Sequence, residues 1–239
     1  MPKKIQDLRI KIFADGAEKV SMLELARSPI VKGFTTNPTL MKRAGVTDYA
    51  GFAKEIVSQI QNKPISFEVF SDDFSDMERQ ARIIASWGSN VYVKIPITNT
   101  KRESAFGLVK KLASDGIKLN VTAILTVPQV AHIAGALSPD VPAVISVFAG
   151  RIADTGINPV PAMAEAKKIL APHKKWELLW ASPRELLNIF EAEEIGCEII
   201  TVTSDILKKL EKVGYDHGEL SLDTVKMFYE DGKKAGYTL

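Results

Sequence analysis

The sequence is poor in the residues that most enzyme chemistries rely on. One cysteine, Cys197, stands among 239 residues, so no internal disulfide can form. Its place between Gly196 and an apolar strand reads as that of a small buried hydrophobe. There are three histidines, His132, His173 and His217, none with another His, Cys or carboxylate at metal-ligand spacing. That argues against a tetrahedral or facial-triad metal site, and it removes the usual parts of zinc-dependent lyases and His-based nucleophile triads. No stretch approaches the apolar length of a membrane span. The start, Met1-Pro2-Lys3-Lys4-Ile5-Gln6-Asp7, lacks the apolar segment of a signal peptide. Basic runs stop at two residues, and 31 Lys and Arg against 29 Asp and Glu leave a net charge of +2. Neither nucleic acid nor membrane is therefore an expected partner. No G-x-G-x-x-G occurs, which removes the fingerprint of a dinucleotide-binding sheet. Together these absences lead us to expect a cytoplasmic protein without metal or organic cofactor.

What is present is an ordinary globular composition, 46% hydrophobic and 25% charged, with short apolar runs alternating with helical patterns. Strands are expected at 10–14, 30–35, 64–69, 91–97, 116–122, 143–147, 176–181 and 198–202. Helical patterns lie between them. They are opened by Ser21 with Glu24, Asn37 with Pro38, Ser75 with Glu78, Thr126 with Gln129, and Ser182 with Pro183. Others run over 48–61, 101–113, 161–170 and 205–213. Eight β-then-α units without a composition break predict one α/β domain over 1–239, a (β/α)8 TIM barrel. Residues 214–239 remain as a C-terminal helical extension. Its Leu222, Val225, Phe228 and Tyr229 form an apolar stripe, suited to packing beneath the barrel or docking on a neighbouring subunit.

One residue in the fourth strand is out of place. On a pleated strand Val91, Val93 and Ile95 share one face, and Tyr92 and Lys94 the other. An ammonium buried in a low-dielectric interior tends to lose its proton and become a nucleophilic amine. A strand-end lysine whose head reaches water over an apolar stem is the plainer alternative. In barrels of this type function gathers at the C-terminal ends of the strands. Those positions hold Asp15, Thr35, Asn37, Glu68, Lys94, Asn120, Thr122, Ser146, Arg151, Ser182 and Arg184. An amine, two carboxylates, hydroxyls, amides and two arginines suit a small, polyhydroxylated, anionic substrate. Several also have plainer readings: Asn37 and Ser182 as helix caps, Arg151 and Arg184 as surface ion-pair partners, Asp15 as a turn residue. Asp72, Asp73 and Asp76 read as a solvated loop and helix N-terminus.

Four segments carry a resemblance: Gly33-Phe34-Thr35-Thr36-Asn37-Pro38-Thr39-Leu40, Val93-Lys94-Ile95-Pro96, Asn120-Val121-Thr122-Ala123-Ile124 and Phe148-Ala149-Gly150-Arg151-Ile152-Ala153-Asp154. In this order and over about residues 10 to 205, they resemble the signature segments of transaldolases. The length is similar to the small single-barrel branch that includes fructose-6-phosphate aldolases. The resemblance implies that Lys94 forms a Schiff base with a ketose carbonyl, and that Asp15 takes the C4 hydroxyl proton as the C3–C4 bond breaks. It implies that Glu68 and Thr122 hold the water of imine formation, and that Asn37 and Asn120 bind hydroxyls of the three-carbon unit. Ser146 and Ser182 would line the same pocket, with Thr35 among the substrate-binding residues, while Arg151 and Arg184 would clamp a phosphate.

The aldolase branch is expected to have glutamine at the Glu68 position and tyrosine at the Phe148 position. This chain therefore resembles the transferases, with sugar phosphates as substrates, no cofactor, and a pentamer or decamer as the expected homo-oligomer. Two places depart from the pattern: Gly16 follows Asp15 where a hydroxyl residue is common, and Trp180 and Pro183 flank Ser182. An aldolase releasing dihydroxyacetone, a transaldolase for another anionic sugar such as a sulfonated one, and a non-catalytic sugar-phosphate binder remain the alternatives.

Overall fold

The computed structural model describes residues 4–239. The first three residues, part of the stretch read for a signal peptide, lie outside the described residues. The strands are β1 (Lys11–Asp15), β2 (Val31–Thr35), β3 (Ile65–Glu68), β4 (Val91–Pro96), β5 (Leu119–Ile124), β6 (Ala143–Val147), β7 (Trp176–Trp180) and β8 (Ile199–Val202). All neighbours are parallel, and β8 pairs with β1, so the sheet closes in sequence order. The helices are α1 (Lys19–Ala26), α2 (Pro38–Arg43), α3 (Tyr49–Gln59), α4 (Phe74–Ala85), α5 (Phe106–Ser114) and α6 (Val127–Ala134). After them come α7 (Ala149–Ala153), α8 (Val160–Leu170), α9 (Leu187–Ile195), α10 (Ser204–Lys208) and α11 (His217–Ala235). The expected (β/α)8 barrel with an additional C-terminal helix is the fold observed.

The strand period of two divides the core into two layers. Ile12, Ala14, Phe67, Val93, Ile95, Val121, Ile145 and Leu178 pack outward, in one cluster with helix residues such as Met22, Ile56 and Leu112. Phe13, Val144, Leu179, Ala181 and Ile199 form a second cluster in the lumen, with Tyr92 and Phe148 against it. The lumen is thus a packed plug below, and the polar strand-end residues sit above it. Gly33 is needed for that plug, because a Cβ there would stand 2.5 Å from the Phe13 ring.

Several element starts follow the sequence signals. Asn37 caps α2 with Pro38 at its first position, its Oδ1 accepting from Leu40 N at 2.9 Å. Thr126 and Gln129 form a complete capping box. Others differ. The caps of α1 and α4 are Glu18 and Asp73, so the Ser21/Glu24 and Ser75/Glu78 pairs lie within helices rather than opening them. The expected 101–113 helix begins at Phe106, because Asn99 Oδ1 accepts from Lys101 N and Glu103 N and holds that stretch as a loop. The expected 205–213 helix is α10 followed by a 3-10 turn. No helix starts at Ser182-Pro183; α9 begins at Leu187. Among the described residues, no helix is long and apolar enough to cross a membrane. Helix α11 buries none of its residues: Leu222, Val225, Phe228 and Tyr229 are all exposed.

Candidate active site

Inward-facing strand ends build a cavity of about 620 Å3 at the C-terminal mouth of the barrel. Asp15, Thr35, Asn37, Glu68, Lys94, Thr122, Ser146, Phe148, Arg151, Ser182 and Arg184 all line it. Asn120 is the expected site residue that does not. It is fully buried, its Nδ2 donating to Ser66 Oγ at 3.0 Å and its Oδ1 accepting from Ser146 Oγ at 2.6 Å. One amide thus ties β3 to β6 through the lumen.

Lys94 does not snorkel. Its residue is only 6% exposed, it points inward as the pleat requires, and it lies beside Glu68 in the β3–β4 register. Its Nζ donates to the carbonyl of Thr36 at 2.8 Å and stands 3.0 Å from Glu68 Oε2. A buried cation keeps its place only when its donors are met in this way. Thr122 Oγ1, on the other side of Lys94 along the sheet, is buried without a hydrogen-bond partner among the described residues. It is the one such hydroxyl in the cavity wall, among the described residues.

Asp15, at the end of β1, accepts a hydrogen bond from Thr35 Oγ1 at 2.7 Å. Because Thr35 spends its proton on Asp15, the contact from Thr201 on β8 must be made by the Thr201 hydroxyl donating to Thr35 Oγ1, at 2.5 Å. Burial holds the Asp15 carboxyl above the usual carboxylate range. The charge of Lys94 and the Thr35 hydroxyl pull it back in part, and Glu68 adds to the rise. Glu68 is itself fixed through its backbone: Tyr49 Oη donates to its carbonyl and accepts from its N–H, both at 2.9 Å.

The far wall is made by the β6 and β7 exits. Arg151 lies over the Phe148 ring, 5.2 Å from its centroid. Arg184 makes a forked contact with Asp154, Nε to Oδ1 at 2.7 Å and Nη2 to Oδ2. The ion-pair reading of Arg184 is therefore correct as far as it goes, and the residue still lines the cavity. The amides of Arg184 and Glu185 donate to Asn188 Oδ1. These amides are thus already engaged, and Ser182, which was expected to open a helix, instead turns into the left-handed region at φ 57° ahead of α9. Ala123, within the bulge in β5, is likewise at φ 60°. Two strained non-glycine residues in one cavity wall are what a site held to a set shape leads one to expect.

Sequence reading missed Tyr49, Ser66, Arg43, Thr201 and Thr203. Thr201 was within reach of the period of two on β8, where it follows inward Ile199. Tyr49 lies on α3, and nothing local marks it as a partner of β3.

The family model described as transaldolase/fructose-6-phosphate aldolase matches residues 12–239. A probable transaldolase of Lactiplantibacillus plantarum is 36% identical over 204 residues, which are 84% of this chain and 88% of that protein. A probable transaldolase of Bdellovibrio bacteriovorus is 33% identical over 232 residues, 95% of this chain and 99% of its own. One from a Thermoanaerobacter species is 34% identical with the same coverage. With the barrel closed, the strand-end groups gathered, and similarity running through the whole of both, the chain belongs to the transaldolase/fructose-6-phosphate aldolase family.

Proposed function

We propose that the chain is a transaldolase that carries a dihydroxyacetone unit between sugar phosphates as a Schiff base on Lys94. The observation that supports this most is the buried, inward amine with Glu68 in contact and Asp15 on the same cavity wall. A pure anion binder gains nothing from two added carboxylates.

In this reading Glu68 takes a proton from the ammonium, and the freed amine attacks the ketose carbonyl. The carbinolamine loses water to give a protonated imine, the water being handled by Glu68 and by Thr122, whose hydroxyl has no other protein partner among the described residues. Ionised Asp15 removes the C4 hydroxyl proton, the C3–C4 bond breaks, and its electrons pass into the imine to leave an enamine. The aldose phosphate departs, a second one binds, and the reverse sequence makes the new ketose. Asn37, Thr35, Ser146 and Ser182 line the sugar site, with Asn120 holding Ser146. Arg151 and Arg184 receive the phosphate. Phe148 supports transfer over release, since its ring offers no hydroxyl to relay a proton from water to the enamine. Sedoheptulose 7-phosphate or fructose 6-phosphate would be the donor, and glyceraldehyde 3-phosphate or erythrose 4-phosphate the acceptor, in the cytoplasm and the pentose phosphate pathway. The exposed apolar stripe of α11 supports assembly of several copies, a pentamer or decamer, through that helix.

Borohydride reduction in the presence of fructose 6-phosphate, followed by mass spectrometry, tests the reading. The native chain should gain a three-carbon or whole-sugar adduct on Lys94, and Lys94→Met none. Erythrose 4-phosphate added before reduction should clear the three-carbon adduct and yield sedoheptulose 7-phosphate. Loss of the unit to water as free dihydroxyacetone would replace transfer by aldolase activity. No adduct with any ketose phosphate would overturn the reading for this substrate class.

A further inference from the structure

Strand β2 leaves the sheet one step too early to support Glu68. In a parallel ladder the N–H and C=O of one residue point to the same neighbour, and successive residues alternate sides. On β3, Ile65 and Val69 take their partners from the β4 side, at Asn90 O and Lys94 O. Ser66 and Glu68 therefore face β2. The β2 register ends with Thr35 opposite Ser66, and Thr36 then closes on the Ser66 carbonyl with both its N–H and its hydroxyl. By Pro38 the chain has become α2. Glu68 would present two main-chain groups to a strand that is no longer there.

Tyr49 fills that place. Its Oη makes both hydrogen bonds that two residues of a continuing β2 would have made to Glu68, donating to the carbonyl and accepting from the N–H. The ring is set by edge contacts with Phe67 and Phe70 and a tilted one with Trp87, at centroid distances of 6.4, 5.3 and 6.1 Å. Asp48 caps the helix at whose first residue Tyr49 sits. Burial pushes the phenol well above its ordinary pKa, so the proton that the Glu68 carbonyl receives is retained at working pH.

We infer that Tyr49 is a positioning residue for the Schiff-base step: its hydroxyl stands in for a missing strand and holds the Glu68 carboxylate against Lys94. The inference rests on the transaldolase reading above. It predicts a defect in the making of the imine rather than in the binding of the phosphate, because Arg151 and Arg184 hang from β6 and β7 on the far wall.

The test uses the full chain, with Tyr49→Phe, which keeps the ring and removes one oxygen. Trp87→Phe serves as a control, loosening the same aromatic group without touching Glu68. The rate of borohydride-trappable imine formation is measured against pH, with KM for fructose 6-phosphate and melting temperature alongside. Tyr49→Phe should lower the imine rate about 10- to 100-fold, since a misplacement near 1 Å costs on that order. It should alter the pH profile of that rate and leave KM within about twofold. Trp87→Phe should lower the melting temperature with the imine rate and its profile as in the native chain. An unchanged imine rate in Tyr49→Phe, or an equal loss in both variants, would overturn the positioning role. Absence of any imine in the native chain would instead overturn the Schiff-base reading on which the role depends.

Discussion

Gly150 is the position where one added methyl group should do most damage to the site. An ideal Cβ on Gly150 would lie 1.5 Å from the carbonyl oxygen of Ser182 and 2.6 Å from its carbon. A carbon–oxygen contact settles at about 3.3 Å, so the two segments would have to part by roughly 1.8 Å. Neither side can yield cheaply. The obstacle is backbone, Gly150 N also donates to Ala181 O at 3.2 Å, and Ser182 is already at positive φ. Gly150→Ala should therefore displace the β7 exit with Ser182 and Arg184, at an overpacking cost of about 1–3 kcal/mol. For a chain of this size that is a fall of roughly 3–10 °C in melting temperature. A shift above 1 Å at substrate-positioning groups predicts a loss of about 100-fold in kcat/KM with a phosphorylated donor. Strand β4 is untouched, so trapping of dihydroxyacetone on Lys94 at saturating concentration should persist. Gly107→Ala in α5 is the control: a Cβ there meets nothing within 4 Å, and about 0.5–1 kcal/mol of added stability is expected with unchanged kinetics. Coupled transaldolase assays and thermal melts on both variants decide it. Gly150→Ala with native kcat/KM and native melting temperature would refute the steric argument.

Three further outcomes follow from the same geometry. Asp15 titrates above 3.8 in the folded chain, so the acid limb of kcat/KM should lie above the usual carboxylate range, and Thr35→Val, which removes a donor to the carboxylate, should move it higher still. The folded chain holds that proton more tightly than the unfolded one, so native stability should fall as pH rises from 3.8 to the raised value. Asp15→Asn should thus melt a few degrees higher than the native chain at pH 7, with no gain below pH 3.8, while losing about 10²–10⁴ in rate; thermal melts and initial rates across pH check both. Arg151→Gln should raise KM for fructose 6-phosphate by about 10- to 100-fold and leave unphosphorylated fructose unaffected. Arg184→Gln should cost less, because Asp154 already offsets that guanidinium. Phe228→Glu on the exposed face of α11 should shift the chain to a smaller species in light scattering, and an unchanged mass would remove α11 from the assembly interface.

The barrel and the inward placement of Lys94 were legible because both depend on short periods. Alternation on β4 placed Lys94 inward, and the eight repeats of strand and helix left little choice of closure. Helix starts were less legible. The spacing S-x-x-E recurs inside helices, so Ser21 and Ser75 carried the same signal as true caps, while Glu18 and Asp73 did the capping. Segment 98–105 is held by Asn99, by Asp72 on Thr100 and by a bridge between Thr98 and Ser104, contacts with no periodic trace. The Ser182 turn depends on the approach of Gly150, 32 positions earlier, and the Tyr49–Glu68 contact joins a helix to the next strand. Contacts of this kind exist only in three dimensions.

The seam between β1 and β8 has a consequence for the newborn protein. A chain emerging from the ribosome carries Asp15, Glu68 and Lys94 in its first half, but β1 has no β8 to pair with until the stretch through Val202 is out. Until then the barrel stands open on that side, and Thr201 is absent from the hydrogen-bonded chain to Asp15. If Lys94 forms the Schiff base proposed above, that chemistry waits on the completion of synthesis: a truncated chain holds the lysine yet lacks the closed cavity in which Asp15 is tied to Thr35 and Thr201.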